Sequence, residues 1–192
     1  MTLTINKQEL IQALKVVAGF ADRRGTRTPV LQMVNVVNEE GQVYFYATDK
    51  YKAVKYRIKW GTFQDLTSFK LDPYFILDLL HLYPSALYDT VTIHTEIAEN
   101  IYYIDIGEIK NIQLPRVNEG KYPSLSGFFD TLSEQENLIG VFDTKLLLST
   151  LNQYKKAGCE KVKIIRCSDR MFKILGIEND SLEAVVVECK VY

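Results

Sequence analysis

The sequence is poor in the residues from which most catalytic and metal sites are built. It contains two histidines, His81 and His94, and neither has a Cys, His or carboxylate at a recognisable ligand spacing. It also lacks a Walker-type phosphate loop, a GxGxxG turn after a predicted strand and a GxSxG nucleophile elbow. We therefore expect both histidines to be surface or packing residues. We predict a protein that is not an enzyme and that uses no cofactor and no metal.

Long apolar runs, a large net charge and paired cysteines are missing too. No apolar run approaches the roughly eighteen residues that a membrane span needs, and the N-terminal MTLTINKQEL has no basic and apolar leader. The three cysteines lack CxxC spacing, which favours reduced thiols. The formal net charge of -1 provides no global attraction to phosphate. These features predict a cytoplasmic protein whose contacts with nucleic acid depend on local charge.

Local charge is uneven along the chain. Residues 1–60 hold ten Lys and Arg against five Asp and Glu, residues 61–137 hold four against twelve, and residues 138–192 hold nine against seven. The middle of the chain is therefore acidic and both flanks are basic. The pattern is compatible with basic surfaces that associate with DNA and equally with ordinary surface variation, because local net charge bears on association and not on fold.

A unit of one strand, one helix and further strands occurs three times along the chain. Each helix has a start signal, because Asn6, Asp72 and Asp143 are good caps and Pro73 suits a first helical position. Gly158 is expected to close the third helix. The apolar residues that recur at helical spacing are Leu10, Ile11, Leu14 and Val17, then Ile76, Leu79, Leu80 and Tyr83, then Leu147, Leu148, Leu151 and Tyr154.

Segments rich in Val, Ile, Tyr and Phe are predicted to form the strands. LTI, SFKL and LIGVF precede the three helices. The segments that follow the helices are LQMVNVV, QVYFYATD and AVKYRI, then DTVTIHTEI, NIYYIDIG and NIQLPRV, then KVKIIRC, MFKILGI and SLEAVVVECKVY. Helices with one apolar stripe and strands with one apolar face predict an α+β fold, in which the helices pack on one face of antiparallel sheets.

The three units are expected to form one and a half domains. The segment NEGKYPSLSGFFDTLSEQEN, between the second and third units, contains Pro123, two glycines and a polar acidic stretch, a composition typical of a linker. We assign residues 1–119 to a complete domain of two units, residues 120–137 to a connector and residues 138–192 to a half domain formed by the third unit.

Several stretches of the chain, in the same order, resemble the bacterial sliding clamp family, the beta subunit of DNA polymerase III. RRGTRTPVLQMVNVV is similar to the family's arginine-containing loop and Pro-initiated strand, KLDPYFILDLLHLYP to its second helix, and NEGKYPSLSGFF to its interdomain connector. The most specific match is the Ala47-Thr48-Asp49 triplet in a strand, followed by a basic or aromatic run. The resemblance covers nearly the whole chain and implies a DNA-clamp-like fold, shortened to about one and a half clamp domains.

Clamps of this family have three domains per chain, each made of two such units, and they dimerise into a ring of twelve units around duplex DNA. Three units cannot encircle DNA alone, whereas four chains of three units would supply twelve. The resemblance therefore implies a sliding-clamp-like accessory protein of DNA replication or repair that self-assembles on DNA. The alternative is a clamp-derived adaptor or decoy that binds proteins and does not encircle DNA.

The resemblance also implies a groove for linear peptides of polymerase or repair proteins, in which a glutamine is followed by Leu and Phe anchors. Carried over by matching stretches, the groove residues are Thr48, Lys50, Tyr51, Lys52, Ala53, Pro123, Phe128, Val186 and Glu188. An aromatic and aliphatic cleft would desolvate one or two anchor side chains. Glu188 places a charge where the family is apolar. The alternative is that Tyr51, Phe128 and Val186 pack the joint between the domains.

Positive charge for binding duplex DNA is limited. The second helix carries Asp78 and no Lys or Arg, so we do not expect a continuous basic lining. The candidates are Arg23, Arg24 and Arg27 in one loop, Lys7 and Lys15 in the first helix, and Lys145, Lys155 and Lys156 in the third. Such side chains would hold backbone phosphates without recognising the base sequence. For the three arginines, the alternative is a solvated loop with no ligand.

Overall fold

The structure is a computed structural model of the 192-residue chain, and it describes residues 2–22, 28–64, 68–83, 89–96, 101–115, 120–132, 142–168, 170–177 and 180–187. The helices within these ranges are α1 (Lys7–Val17), α2 (Pro73–Leu82), α3 (Leu125–Asp130) and α4 (Thr144–Lys156), with a short 3-10 helix at Pro29–Gln32. None of these helices has the length and apolar character needed to cross a membrane.

The strands are short, and each of the three repeated units contributes several of them. They are β1 (Thr2–Asn6), β2 (Val34–Glu39), β3 (Gln42–Thr48), β4 (Lys52–Arg57), β5 (Gly61–Gln64), β6 (Ser68–Leu71), β7 (Thr90–Glu96), β8 (Ile101–Ile106), β9 (Ile109–Gln113), β10 (Val162–Ser168), β11 (Met171–Gly176) and β12 (Leu182–Val187). The three predicted helices, and the predicted strands other than LIGVF, occur in the predicted order among the described residues.

The three predicted helix starts are also confirmed. The side chain of Asn6 accepts hydrogen bonds from two backbone N–H groups in the first turn of α1, and the Asp72 carboxylate does the same for α2. The Asp143 carboxylate accepts one, from the Leu146 N–H, at the start of α4. Oxygen acceptors at these positions satisfy donors that have no partner within the helix. After α4 the chain turns at Gly158, whose φ of 80° lies in the left-handed region that glycine adopts without strain.

The strands form two antiparallel sheets. The first has the order β5-β1-β7-β8-β9 and the second the order β10-β11-β12-β4-β3-β2-β6. The first two units exchange their first strands, because β1 joins β7 of the second unit and β6 joins β2 of the first. The third unit extends the sheet of the first unit, since β12 pairs with β4 so that Ala184 lies opposite Val54.

One hydrophobic cluster lies between the helices and the sheets. It draws residues from both sheets and from α1, α2 and α4, for example Leu14, Ile93, Tyr154 and Val186. α1 packs against both α2 and α4. Alternation along the strands decides which residues join this cluster, so that Val54 of β4 faces it. The architecture is the predicted α+β fold, with α1, α2 and α4 on one face of antiparallel sheet.

Two details of the first unit differ from the sequence-based prediction. The strand predicted for LQMVNVV begins only at Val34, because Pro29–Gln32 forms a 3-10 helix. Proline has no N–H to donate to a sheet and its fixed φ suits the first position of a helical turn. The strand Gly61–Gln64 was not predicted, since it is short and has Phe63 as its one large apolar residue. Pairing with β1 holds it in the sheet.

Two further differences concern the second half of the chain. The segment predicted as a linker contains α3, which is a packed helix. Leu148, predicted to lie in the buried stripe of α4, is instead 57% exposed. The predicted strand LIGVF lies outside the described residues except for Phe142, and residues 188–192 of the predicted last strand lie outside them as well.

Candidate peptide groove and helix surface

A second hydrophobic cluster lies on the outer face of the seven-stranded sheet, opposite to the face that α1 and α4 cover. Its buried members are Tyr46 of β3, Ala53 of β4, Val185 of β12 and two residues of α3, Leu125 and Phe129. Partly buried side chains around them are Val37, Tyr44, Tyr122, Phe128, Leu132 and Met171. We name this set the outer cluster. It places α3 where the strands of the first and third units meet.

The sequence around α3 explains why this short helix docks on the sheet. Leu125, Phe128 and Phe129 are three and four residues apart, so they share one helix face. The hydroxyl of Tyr122, just before the helix, lies 3.2 Å from the carbonyl oxygen of Met33 and 3.3 Å from that of Tyr46. Burial raises the pKa of Tyr122, so its hydroxyl stays protonated and can donate to these oxygens.

Charged side chains contact the C-terminal end of α3. The Nζ atom of Lys55 lies 3.1 Å from a carboxylate oxygen of Glu39 and 3.8 Å from one of Asp130. The hydroxyl of Tyr46 donates to the other carboxylate oxygen of Glu39 at 2.6 Å. Burial by itself would raise the pKa of Glu39, but hydrogen bonds from Ser126, Tyr46 and Lys55 outweigh it and hold the pKa below its usual value of 4.5. Glu39 is therefore ionised at neutral pH.

The turn between β3 and β4 carries the residues of the most specific family match. Asp49 Oδ1 accepts hydrogen bonds from the backbone N–H groups of Tyr51 and Lys52, both at 3.0 Å. The hydroxyl of Thr48 donates to the Lys52 carbonyl oxygen at 2.8 Å. Lys50 has a φ of 79°, in the left-handed region. Asp49 is thus a structural carboxylate, and the turn projects the side chain of Tyr51, which is 66% exposed.

The predicted groove residues fall on two sides of the seven-stranded sheet. Those at the turn or on the outer side are Thr48, Lys50, Tyr51, Ala53 and Phe128, and Pro123 lies just before α3. Lys52 and Val186 instead face the main core, and both are buried. Glu188 lies outside the described residues. The structure therefore brings the first set to one surface and separates Lys52 and Val186 from it.

Lys52 is part of the joint between α1 and α4. Its Nζ donates to the carbonyl oxygen of Gly19 at 2.7 Å and to the hydroxyl of Ser149 at 3.1 Å. The same atom lies 5.2 Å from the centre of the Phe20 ring. Lys52 is 8% exposed. It consequently stabilises the contact between the first and third units and is not a rim charge that a bound peptide can reach.

Sequence reasoning missed the buried floor of the outer side, which consists of Tyr46, Phe129 and Val185. Val185 lies opposite Ala53 in the β12–β4 register, so the two residues share a face. The Val185-Val186-Val187 run has no alternation of polar and apolar residues, and a shift by one residue exchanges the faces. The pairing strand β4 would have misled such a prediction, because charged Lys52 faces the main core whereas apolar Ala53 faces the outer side.

The end of β12 adjoins the β3–β4 turn. The backbone N–H of Val187 donates to the carbonyl oxygen of Tyr51 at 3.3 Å, and Val187 pairs with Met171 of β11. Met171 belongs to the outer cluster, on the same side as α3, and the turn that carries exposed Tyr51 adjoins it. We define the outer groove as Thr48, Tyr51, Ala53, Phe128, Met171 and Val185.

The solvent-facing side of the helices carries four of the predicted DNA-binding lysines. Lys15 of α1 and Lys145, Lys155 and Lys156 of α4 are exposed. α1 and α4 lie side by side, and the Gln12 side-chain amide donates to the carbonyl oxygen of Lys156. A shallow groove beside α4 is lined by Ser149, Asn152, Gln153, Lys155 and Lys156. These lysines therefore form one basic strip along two neighbouring helices.

Lys7 does not belong to this strip, contrary to its predicted role on DNA. Its side chain is buried and its Nζ donates to the carbonyl oxygen of Tyr83. Burial lowers the pKa of Lys7, because a charged ammonium is less stable away from water. Exposed Asp78 further reduces the positive charge near α2. The loop arginines at positions 23, 24 and 27 lie outside the described residues.

The histidines are placed as surface and packing residues. His94 Nε2 lies 3.3 Å from Asp105 Oδ1, and the imidazole stacks on the ring of Tyr103. Burial alone would raise the pKa of Asp105, but a hydrogen bond from the Asn111 N–H and the nearby His94 lower it. His81 is exposed on α2. The part of the chain that the structure describes contains no group of three or more His, Cys, Asp or Glu side chains positioned to hold a metal ion.

No protein-family model matches the sequence, and no curated protein matches it either. Solved structures do match the fold. The chain superposes on the DNA polymerase III beta subunit of Thermotoga maritima with a TM-score of 0.72 and 12% identity, and on the DNA polymerase sliding clamp of Caulobacter crescentus with a TM-score of 0.75 and 12% identity. For the DNA polymerase III subunit beta of Pseudomonas aeruginosa the TM-score is 0.68 and the identity 14%.

The extent of these matches is uneven. They cover 100% of this chain but only 65 or 66% of each clamp chain. The repeated units, the exchanged first strands and the continuous sheet between the first and third units all lie within the matched region. The chain therefore has the fold of the bacterial sliding clamps, the beta subunits of DNA polymerase III, over about two thirds of the length of the clamp chains that it resembles.

Proposed function

We propose that this protein is a sliding-clamp-like accessory protein of DNA replication or repair, which acts in the cytoplasm and is not an enzyme. The observation that carries the proposal is the fold, since the whole chain superposes on solved bacterial clamps. Those proteins are described as a subunit or a sliding clamp of DNA polymerase. From them we infer that this chain acts as an accessory protein to a DNA polymerase or a repair protein.

The first activity that we propose is the binding of a partner peptide at the outer groove. Tyr51 is exposed, and Phe128 and Met171 are partly buried, so an incoming Leu or Phe side chain would cover apolar surface and displace water. Val185 and Phe129 are buried beneath them and give the groove a packed floor, which reduces the ordering cost of binding. The ligands would be polymerase or repair-protein segments in which a glutamine precedes Leu and Phe anchors.

The second activity that we propose is association with duplex DNA through the basic strip on α1 and α4, after several copies have assembled. Lys15, Lys145, Lys155 and Lys156 would contact backbone phosphates and no base edges. Four lysines per chain displace few counterions, so binding by one copy would be weak and salt-sensitive. Assembly multiplies these contacts, because each additional copy adds its own strip.

A clamp-derived adaptor or decoy, which binds proteins without encircling DNA, is the second candidate. The observation that favours it is the weak charge of the helix surface, where Lys7 is buried and Asp78 is exposed. The outer groove is on the opposite face from the basic strip. Peptide binding therefore does not require DNA binding, and the two activities can be measured separately.

DNA topology separates the two candidates. The protein would be incubated at low salt with a closed circular plasmid and with the same plasmid linearised, and then passed over a gel-filtration column at higher salt. A closed ring stays on the circle and slides off the linear ends, whereas an adaptor elutes apart from both. Fluorescence anisotropy with a labelled peptide, in which a glutamine precedes Leu and Phe anchors, then tests peptide binding at the outer groove. Loss of both signals would contradict the proposed function.

A further inference from the structure

The apolar residues on the helix of the third unit are less buried than the equivalent residues of the other two units. Counted from the cap, the fourth and eighth residues of all three helices are apolar. In α1 and α2 these residues are buried, and they are Leu10, Leu14, Ile76 and Leu80. The equivalent residues of α4, Leu147 and Leu151, are only partly buried. Their neighbour Leu148 is 57% exposed, whereas Ile11 and Leu77 at the same position of α1 and α2 are partly buried.

The strand after the helix shows the same difference. The core-facing residues of the equivalent strands are fully buried in β2 and β7, and they are Val34, Val36, Val91 and Ile93. In β10 the core-facing residues Val162 and Ile164 are only partly buried. β2 is covered at its edge by β6, and β7 by β1. Within the described residues, β10 pairs with β11 alone and has no strand on its other edge.

The residue before the helix cap supports the comparison. Ile5 and Leu71 hold this position in the first two units and are buried. Phe142 holds it in the third unit and is only partly buried, although its ring packs edge-on against Phe172 with the ring centres 4.6 Å apart. Among the described residues, the helix, the strand and the helix entry of the third unit are therefore all less buried than their equivalents in the first two units.

We propose that a second copy of this chain covers these residues with the same surface of its own third unit, so that two half domains form one complete domain about a two-fold axis. The third-unit face consists of Leu147, Leu148, Leu151, Val162, Ile164 and the edge of β10 with which no described strand pairs. This inference rests on the self-assembly part of the proposed function and names the surface that assembles.

The first two units show why the partner is a second copy. Their contact is reciprocal, because each unit gives its first strand to the sheet of the other and α1 packs on α2. Two identical surfaces related by a two-fold axis can make the same kind of reciprocal contact, which is an isologous interface. Leaving a strand edge and leucines uncovered would otherwise favour nonspecific association.

A matched pair of substitutions tests the inference in the full-length chain. Leu148 on the third-unit face and Leu82 at the end of α2 are both exposed helical leucines, at 57% and 74%. A lysine at either position is therefore compatible with folding, which circular dichroism would check. Sedimentation equilibrium of the native protein is expected to show association. We expect L148K to weaken it by about thirtyfold or more, because a charge would be desolvated at the two-fold contact, and L82K to change it less than about twofold.

The remaining outcomes separate the inference from the proposed function. If the native chain associates and L82K weakens association as much as L148K or more, a different surface assembles and the inference is overturned, while self-assembly stands. If the native chain is a monomer at every concentration, the inference and the self-assembly proposal both fail. Peptide binding at the outer groove is measured independently and is not affected by either result.

Discussion

Gly19 at the end of α1 and Gln153 of α4 approach so closely that a side-chain carbon does not fit between them. A Cβ atom built on Gly19 would lie 2.3 Å from Cδ of Gln153 and 2.5 Å from its Nε2. Gln153 is buried, and its Nε2 donates to the Ser149 carbonyl oxygen at 3.3 Å. Lys52 bridges the same joint. The contact between the first and third units therefore depends on the absence of a side chain at position 19.

The first prediction concerns this joint. Gly19→Ala should lower the free energy of unfolding by about 1 kcal/mol, because the Gln153 amide has to leave its buried position. In a Gln153→Ala background the same substitution should be neutral or stabilising, since alanine restricts the unfolded chain and no longer meets the amide. Urea denaturation of the four variants measures both effects. An equal loss in both backgrounds would show that the Gln153 contact is not the cause.

The second prediction separates the two neighbouring lysines of the β3–β4 region. Lys52→Met should cost about 2 kcal/mol of stability, because it leaves the partly buried carbonyl oxygen of Gly19 without the Nζ donor. Lys50→Met is the control, since Lys50 is exposed and its side chain donates to the Thr28 hydroxyl in a solvent-exposed hydrogen bond. Its effect should stay within about 0.5 kcal/mol. Similar losses for both variants in urea titrations would argue against a structural role for Lys52.

The third prediction concerns the outer groove. Phe128→Ala should reduce the affinity for a Gln, Leu and Phe peptide by about thirtyfold, equivalent to about 2 kcal/mol, because it removes a wall for the anchor. Lys50→Ala removes only a rim charge and should have a much smaller effect. Val186→Ala should lower stability without changing the affinity of the folded protein, since Val186 faces the main core. Calorimetric titration measures the peptide affinity of each variant. A large loss of affinity in Val186→Ala, without a loss in Phe128→Ala, would show that the peptide binds elsewhere than the outer groove.

The fourth prediction concerns DNA. Replacing Lys145, Lys155 and Lys156 together with alanine should weaken DNA binding and reduce the slope of log K against log salt by roughly 2 to 3, about 0.9 for each lost phosphate contact. Lys163→Ala is the control, because Lys163 is exposed on β10 and faces away from the main core. Anisotropy with labelled duplex at several salt concentrations gives the slopes. An unchanged slope in the triple variant would exclude α4 as the DNA surface.

The fifth prediction concerns pH. The pKa of Glu39 is held below 4.5 in the folded protein, so its contribution to stability is fully present above that pH and is lost as the pH falls through the lower folded-state pKa. Acidification should therefore loosen α3, to which Ser126 and the Lys55 network connect Glu39. Glu39→Gln should have lower stability at neutral pH and a flatter acid dependence. Chemical denaturation at several pH values from neutral to acidic measures the free energy of unfolding of both proteins. If it falls with pH equally in the native protein and in Glu39→Gln, the prediction is contradicted.

The sequence by itself determined the local elements and their order. Asn6, Asp72 and Asp143 predicted the helix starts, because a short polar side chain before an apolar stripe favours the capping of free backbone N–H groups. The alternating strands and the repetition of the unit led to the α+β fold class for the same reason, since periodicity is a property of neighbouring residues. The clamp-like fold was implied by the resemblance of several stretches, taken in order, to the clamp family. The candidate site was located to the β3–β4 turn and the segment around Phe128.

Only the tertiary structure decided which face each residue occupies. Val186 and Val185 are adjacent in an apolar run, and pairing with β4 rather than any local preference sends one to the core and the other to the outer groove. Lys7 and Lys52 have the composition of surface residues, yet backbone carbonyl oxygens from distant segments make their burial favourable. Leu148 belongs to an apolar stripe that only a packed neighbour can bury, and in this fold no described element of the chain does so.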